Sequence, residues 1–74
     1  MISDIFAARL HELRVSQKLT LQNVGDAIGS TRQTIGNLEK MQKSPSLDMI
    51  ISLADYFDVS IDYLVGRSDI AERR

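Results

Sequence analysis

Residues Leu19 to Glu39 read LTLQNVGDAIGSTRQTIGNLE, and the spacing of apolar residues in this run decides the fold. Leu21, Val24, Gly25 and Ile28 fall three or four positions apart, which makes one stripe on a two-turn helix. Gly29 comes next and is suited to the left-handed backbone that ends a helix. Ser30 and Thr31 offer hydroxyls to cap a further helix, whose inward residues are Ile35 and Leu38. Small residues at Gly25 and Ala27 let the two helices approach closely. Arg32, Gln33, Gly36 and Asn37 are left facing outward.

The same period extends in both directions from this pair. Ile2, Phe6, Leu10 and Leu13 form a stripe on a first helix from about Ser3 to Ser16. Pro45 blocks continuation and Ser46 caps a fourth helix carrying Leu47, Ile50, Ile51, Ala54 and Phe57 inward. Ser60 caps a short fifth with Ile61, Leu64 and Val65 inward, ended by Gly66. No stretch of four or more residues alternates apolar and polar cleanly, so the predicted fold is all-α, five helices around one core. Residues 1–67 are expected to form the domain and 68–74 a charged, frayed tail.

At 74 residues, 43% hydrophobic and 26% charged, the chain has room for one small globular domain. It has no cysteine and one histidine, which excludes a disulfide framework, a thiolate zinc site and a cysteine nucleophile. His11 reads as a surface or partly buried helix residue, since no nucleophile and carboxylate stand at catalytic spacing around it. No enzyme, metal site or cofactor is expected: there is no nucleophile with a base, no phosphate loop and no ligand cluster. Asp48, Asp55, Asp58 and Asp62 lack calcium-loop spacing and read as a solvated face. Tyr56, Phe57 and Tyr63 read as core, the alternative being an apolar edge of Tyr56, Tyr63, Ile61 and Val65. The longest apolar runs span three or four residues, so no membrane contact is expected. Met1 leads directly into the first amphipathic segment, so no secretory signal is expected and a cytoplasmic protein is the default.

A net charge of -1 argues at first against nucleic acid, but the charge is polarised. Residues 1–13 carry -1. Residues 14–43 carry Arg14, Lys18, Arg32, Lys40 and Lys43 against Asp26 and Glu39, net +3, and residues 44–74 carry -3. The positive charge therefore gathers on the paired helices.

Those helices have helix-turn-helix grammar, and the chain resembles the lambdoid phage repressor and Cro family from about Phe6 to Gly66. The likeness rests on Arg14, on Leu19 and Thr20, on STRQTI from Ser30 to Ile35, and on Glu39. It continues through Pro45, Ser46 and Leu47 and the closing VSIDYLVG from Val59 to Gly66. The resemblance implies a compact lambda-repressor-like domain whose second motif helix enters the DNA major groove. Arg32, Gln33, Gly36 and Asn37 match positions that meet bases, and Thr31, Thr34, Lys40 and Lys43 match positions that meet phosphates. Arginine suits guanine, amides suit adenine, and glycine permits close approach. If Ser30 were the cap, Gln33 would instead fall where a capping box closes. The family's buried ion pair maps onto Arg14 and Glu39.

Three residues depart from the family's pattern. Leu21 stands where a glutamine commonly reaches a phosphate. Gly25 replaces an alanine, at an expected cost of ~1 kcal/mol. Met41 replaces a glycine, which predicts a methionine strained toward positive φ or a different turn. The implied function is a sequence-specific transcriptional regulator, a repressor acting as a homodimer on a palindromic operator in double-stranded DNA, of the kind found in prophages and mobile elements. The alternative is a protein-interaction module, such as an antitoxin-like partner that keeps the fold. A protein partner or a C-terminal dimerisation domain, common in phage-type repressors, could accompany either.

Overall fold

Four hydroxyl side chains start four of the five helices by the same means. The computed structural model describes residues 2–73, with side chains from Asp4 to Arg73, as α1 (Ile2–Ser16), α2 (Leu21–Ala27), α3 (Arg32–Glu39), α4 (Leu47–Phe57) and α5 (Ile61–Leu64). Thr20, Thr31, Ser46 and Ser60 each accept a hydrogen bond from the backbone N–H three residues on, at 3.0, 3.1, 3.2 and 3.0 Å. Each such cap stabilises its helix by about 1 kcal/mol, which matters when α2 has seven residues and α5 four. At α2 the Asn23 side chain also accepts from the Thr20 N–H at 2.9 Å, closing a capping box.

The five helices also end alike, each with a left-handed residue around which the next N–H reaches back five positions. These bonds are Leu19 to Arg14, Ser30 to Gly25, Gln42 to Asn37, Val59 to Ala54 and Arg67 to Asp62, at 3.0, 2.7, 2.8, 3.0 and 2.7 Å. Glycine occupies the left-handed position only at Gly29 and Gly66; elsewhere it is Lys18, Met41 and Asp58, at φ 57°, 60° and 56°. Met41 thus takes the strained path instead of a different turn, at a cost of order 1 kcal/mol.

The core gathers Phe6 and Leu10 of α1, Val24 of α2, Ile35 and Leu38 of α3, Leu53, Ala54 and Phe57 of α4, then Val59 and Leu64. Leu13 packs at its margin, Ala7 is buried beside it, and the side chain of Ile2 lies outside the described residues. On α4 the buried face differs from the expected one: Leu47 is 68% and Ile51 38% exposed, while Leu53 is fully buried. That helix is apolar around most of its circumference, so periodicity alone admits two faces, and the row Ile50, Leu53, Ala54, Phe57 is the one that meets the core. Ile61 at the start of α5 and Tyr56 on α4 are likewise exposed, Tyr63 and Val65 are half-buried, and Phe57 is core.

Gly25, expected from propensity to weaken α2, is a condition of the turn. A Cβ there would stand 2.8 Å from the carbonyl carbon of Thr31 and 3.0 Å from the nitrogen of Arg32. The backbones of α2 and of the start of α3 meet where only glycine fits.

The far end of α3 is tied to α1 by one carboxylate. Glu39 accepts from Arg14 Nε at 2.7 Å and Nη2 at 3.0 Å, and from His11 Nδ1 at 2.7 Å. Arg14 Nη1 also donates to the Leu19 carbonyl at 3.0 Å, bringing the loop between α1 and α2 into the same cluster. A carboxylate only accepts, so His11 carries its proton on Nδ1. Burial pushes the Glu39 carboxyl up, but the hydrogen bonds from Arg14 and His11 outweigh it and hold the group below the usual glutamate range.

Beyond α5 the chain folds back instead of fraying. The Ser60 N–H donates to the Ala71 carbonyl at 2.9 Å, and Arg73 pairs with Asp55 at 2.7 Å and Asp58 at 3.6 Å. Arg9 of α1 lies over the Tyr63 ring, 4.1 Å from its centre, and bonds the carbonyls of Tyr63 and Ser68 and the Asp69 carboxylate. Among the described residues no helix is long and apolar enough to cross a membrane.

Two stability effects follow. Met41→Gly relieves the left-handed strain at an exposed position and should stabilise the domain by about 1 kcal/mol in chemical denaturation, an unchanged midpoint counting against strain there. Because the folded-state pKa of Glu39 is lowered, its contribution is complete above the ordinary glutamate pKa of ~4.3 and is lost as pH falls through the folded value. Glu39→Gln should therefore cost roughly 1–3 kcal/mol at neutral pH, with the gap to the unmodified chain closing in acid. A gap independent of pH would show that the charge of Glu39 is immaterial.

Candidate nucleic-acid interface

Helix α3 owes its orientation to both of its ends. At its start, the Ser30 N–H to Gly25 carbonyl bond of 2.7 Å and the close approach at Gly25 fix the turn from α2. At its finish, Glu39 is held by Arg14 and His11. Between them Ile35 and Leu38 are buried at 0% and 1% exposure and leave the helix no freedom to roll. The rest of its circumference is turned away from the core.

The cap of α3 is Thr31, so Gln33 sits at the second helical position and the capping-box role at the third goes to no long amide. Thr34 occupies that third position: its N–H donates to Thr31 Oγ1, and Thr31 in turn donates to Thr34 Oγ1 at 3.0 Å. The Thr34 hydroxyl therefore keeps a proton free to donate. Arg32, Gly36 and Lys40 stand four apart and form one row; Gln33 and Asn37 form the row beside it. Arg32, Gln33 and Lys40 are exposed and Asn37 partly so, and none of these side chains bonds another described residue. Lys43 is exposed in the loop before α4 and is also unpaired.

This arrangement puts a forked donor, two amides with both donors and acceptors, and two ammonium groups on one rigid, outward helix and the loop after it. Among the described residues none of these side chains has a hydrogen-bond or ion-pair partner. In contrast, two carboxylates of the acidic second half, Asp55 and Asp58, are matched by Arg73. Among the described residues no group of three or more His, Asp or Glu side chains could hold a metal ion.

Two features of this surface escape a reading of apolar spacing. Gln22 of α2 donates to Asp26 at 2.7 Å, a pairing visible in sequence only as an amide and an acid four apart. Leu21, at the start of α2, lies against Gly36, its Cδ1 3.5 Å from where a Cβ would stand; a residue without a side chain gives no signal of such contact.

The helix-turn-helix family model matches residues 10–64. The uncharacterized HTH-type transcriptional regulator YobD of Bacillus subtilis is 37% identical over 65 residues, 88% of this chain and 58% of that protein. The cryptic phage CTXphi transcriptional repressor RstR of Vibrio cholerae is 32% identical over 65 residues, 88% of this chain and 59% of that one. The chain thus spans less than two thirds of the length of these relatives. Among solved structures, the P22 c2 repressor, determined with a synthetic operator, superposes with a TM-score of 0.80 over 86% of this chain and 97% of its own, at 20% identity. At that identity the likeness establishes a shared fold, all-helical and of the same five-helix design. Sequence match and fold agree, and this chain belongs to the helix-turn-helix family.

Proposed function

We propose that residues 1–67 form a sequence-specific DNA-binding domain of a transcriptional regulator, a repressor that acts in the cytoplasm as a homodimer on a palindromic operator. The observation that carries this reading is the outward face of α3, where Arg32, Gln33 and Asn37 are unbonded on a helix fixed at both ends. A major groove about 12 Å wide admits one α-helix. In it, Arg32 would fork onto guanine O6 and N7, Gln33 and Asn37 would pair with adenine N6 and N7, and Gly36 would let the helix sit close. Thr31, Thr34, Lys40 and Lys43 would meet the phosphates that flank the groove.

Size supports pairing of two copies. An eight-residue helix with three reading side chains covers too few base pairs for useful discrimination, so a second copy is needed. The domain measures 28 × 23 × 21 Å, so two placed side by side can present α3 in successive major grooves about 34 Å apart. Repression is favoured by the relative RstR, which is named as a transcriptional repressor. A dimer seated on a promoter would block polymerase. The low net charge makes non-specific attraction weak and leaves discrimination to the α3 face.

Selection from a random DNA pool tests the reading: an inverted repeat with half-sites one helical turn apart should be enriched, and a pool that stays random would sink the proposal. Arg32→Ala should weaken binding to the enriched sequence by ~1–3 kcal/mol and relax preference at one base pair per half-site. An equal loss on every sequence would make Arg32 a phosphate contact instead.

A further inference from the structure

The two helices of the motif leave two half-buried aliphatic side chains at their margin, and these face different neighbours. Ile28, at the end of α2, borders a surface depression with Ser52 and Tyr56 of α4. Leu21, at its beginning, turns to α3 and lies 3.5 Å from the missing Cβ of Gly36. Gly36 belongs to the outward row between Arg32 and Lys40, so its lack of a side chain leaves a notch in the polar face of α3, and Leu21 lies against that notch. The exposed large apolar side chains lie outside residues 20–39. Leu21 therefore packs against the margin of the core on one side and borders the outward row of Arg32, Gly36 and Lys40 on the other.

We propose that Leu21 is a specificity-determining residue that reads the 5-methyl group of a thymine through the notch at Gly36, a role that rests on α3 being a major-groove helix. Thymine presents a methyl group in the major groove, and an apolar side chain is what distinguishes it there. Leucine has no donor or acceptor for a phosphate. Against sugar carbons it would contribute contact without sequence preference, which separates the two occupants experimentally. Burying one methyl against the leucine corresponds to about a fourfold change in affinity per half-site.

The test uses the DNA sequence enriched in the random-pool selection, with each thymine replaced in turn by deoxyuridine, a change that removes only the methyl. The unmodified chain should lose about fourfold at one position per half-site. Leu21→Ala and the more nearly isosteric Leu21→Gln, both checked for folding by thermal unfolding, should bind the thymine and deoxyuridine versions equally. Specific binding that is indifferent to every thymine methyl would overturn the proposal, as would variants that keep the full methyl sensitivity. Failure to enrich any sequence is a separate result: it removes the DNA reading itself, and the role of Leu21 with it.

Discussion

One carboxylate holds three parts of this chain together. Glu39, at the end of α3, receives Arg14 and His11 from α1, and the same Arg14 reaches the Leu19 carbonyl in the loop that leads into α2. Burial of Ile35 and Leu38 stops α3 from rolling, but aliphatic contacts still allow it some choice of tilt. A bidentate ion pair does not, since two parallel hydrogen bonds fix angle as well as distance. The net stabilisation from such a half-buried pair is modest, and its larger effect is on geometry. Every outward residue of α3 inherits its position from this clamp at one end and from the backbone contact at Gly25 at the other.

The polarised charge has a structural counterpart. The acidic second half partly neutralises itself through Arg73, and Arg9 draws the last residues onto α5 with a ring contact and hydrogen bonds to chain carbonyls. In the basic middle Arg14 is matched by Glu39, but among the described residues Arg32, Lys40 and Lys43 have no ion-pair partner. A small domain gains little from exposed ion pairs, so leaving these cations free costs almost nothing in stability while it concentrates positive potential on one face. The proposed DNA-binding surface is thus the part of the molecule on which folding makes the fewest demands.

Helix boundaries were legible in the sequence because they depend on local chemistry. Hydroxyls at Thr31, Ser46 and Ser60 and glycines at 29 and 66 act within a few residues of themselves, whereas the cap at Thr20 was not singled out by apolar spacing. The exposed face of α3 was legible for a related reason: once Ile35 and Leu38 go inward, the residues between them have one direction left. What could not be read depends on distant or missing atoms. The inward face of α4 is chosen by neighbours, since its own residues offer two apolar faces. The folded-back tail is held by Arg9, about sixty positions away, and by main-chain carbonyls that look alike in every sequence. The need for glycine at position 25 comes from the Thr31 backbone.

The three left-handed joints at Lys18, Met41 and Asp58 have a consequence for how long a copy of this protein survives. Each holds a side chain where glycine would rest more easily, and together they forgo something like 2–3 kcal/mol, less at Asp58 because aspartate tolerates the conformation better. For a chain of this size, whose whole stability is of order 5–10 kcal/mol, that is a large share. It raises the unfolded population by about one to two orders of magnitude. Proteases and chaperones sample that population, so cellular abundance responds to it. Three residues with no place in the proposed reading of DNA therefore bear on dose through stability alone, by enlarging the unfolded fraction that is open to turnover.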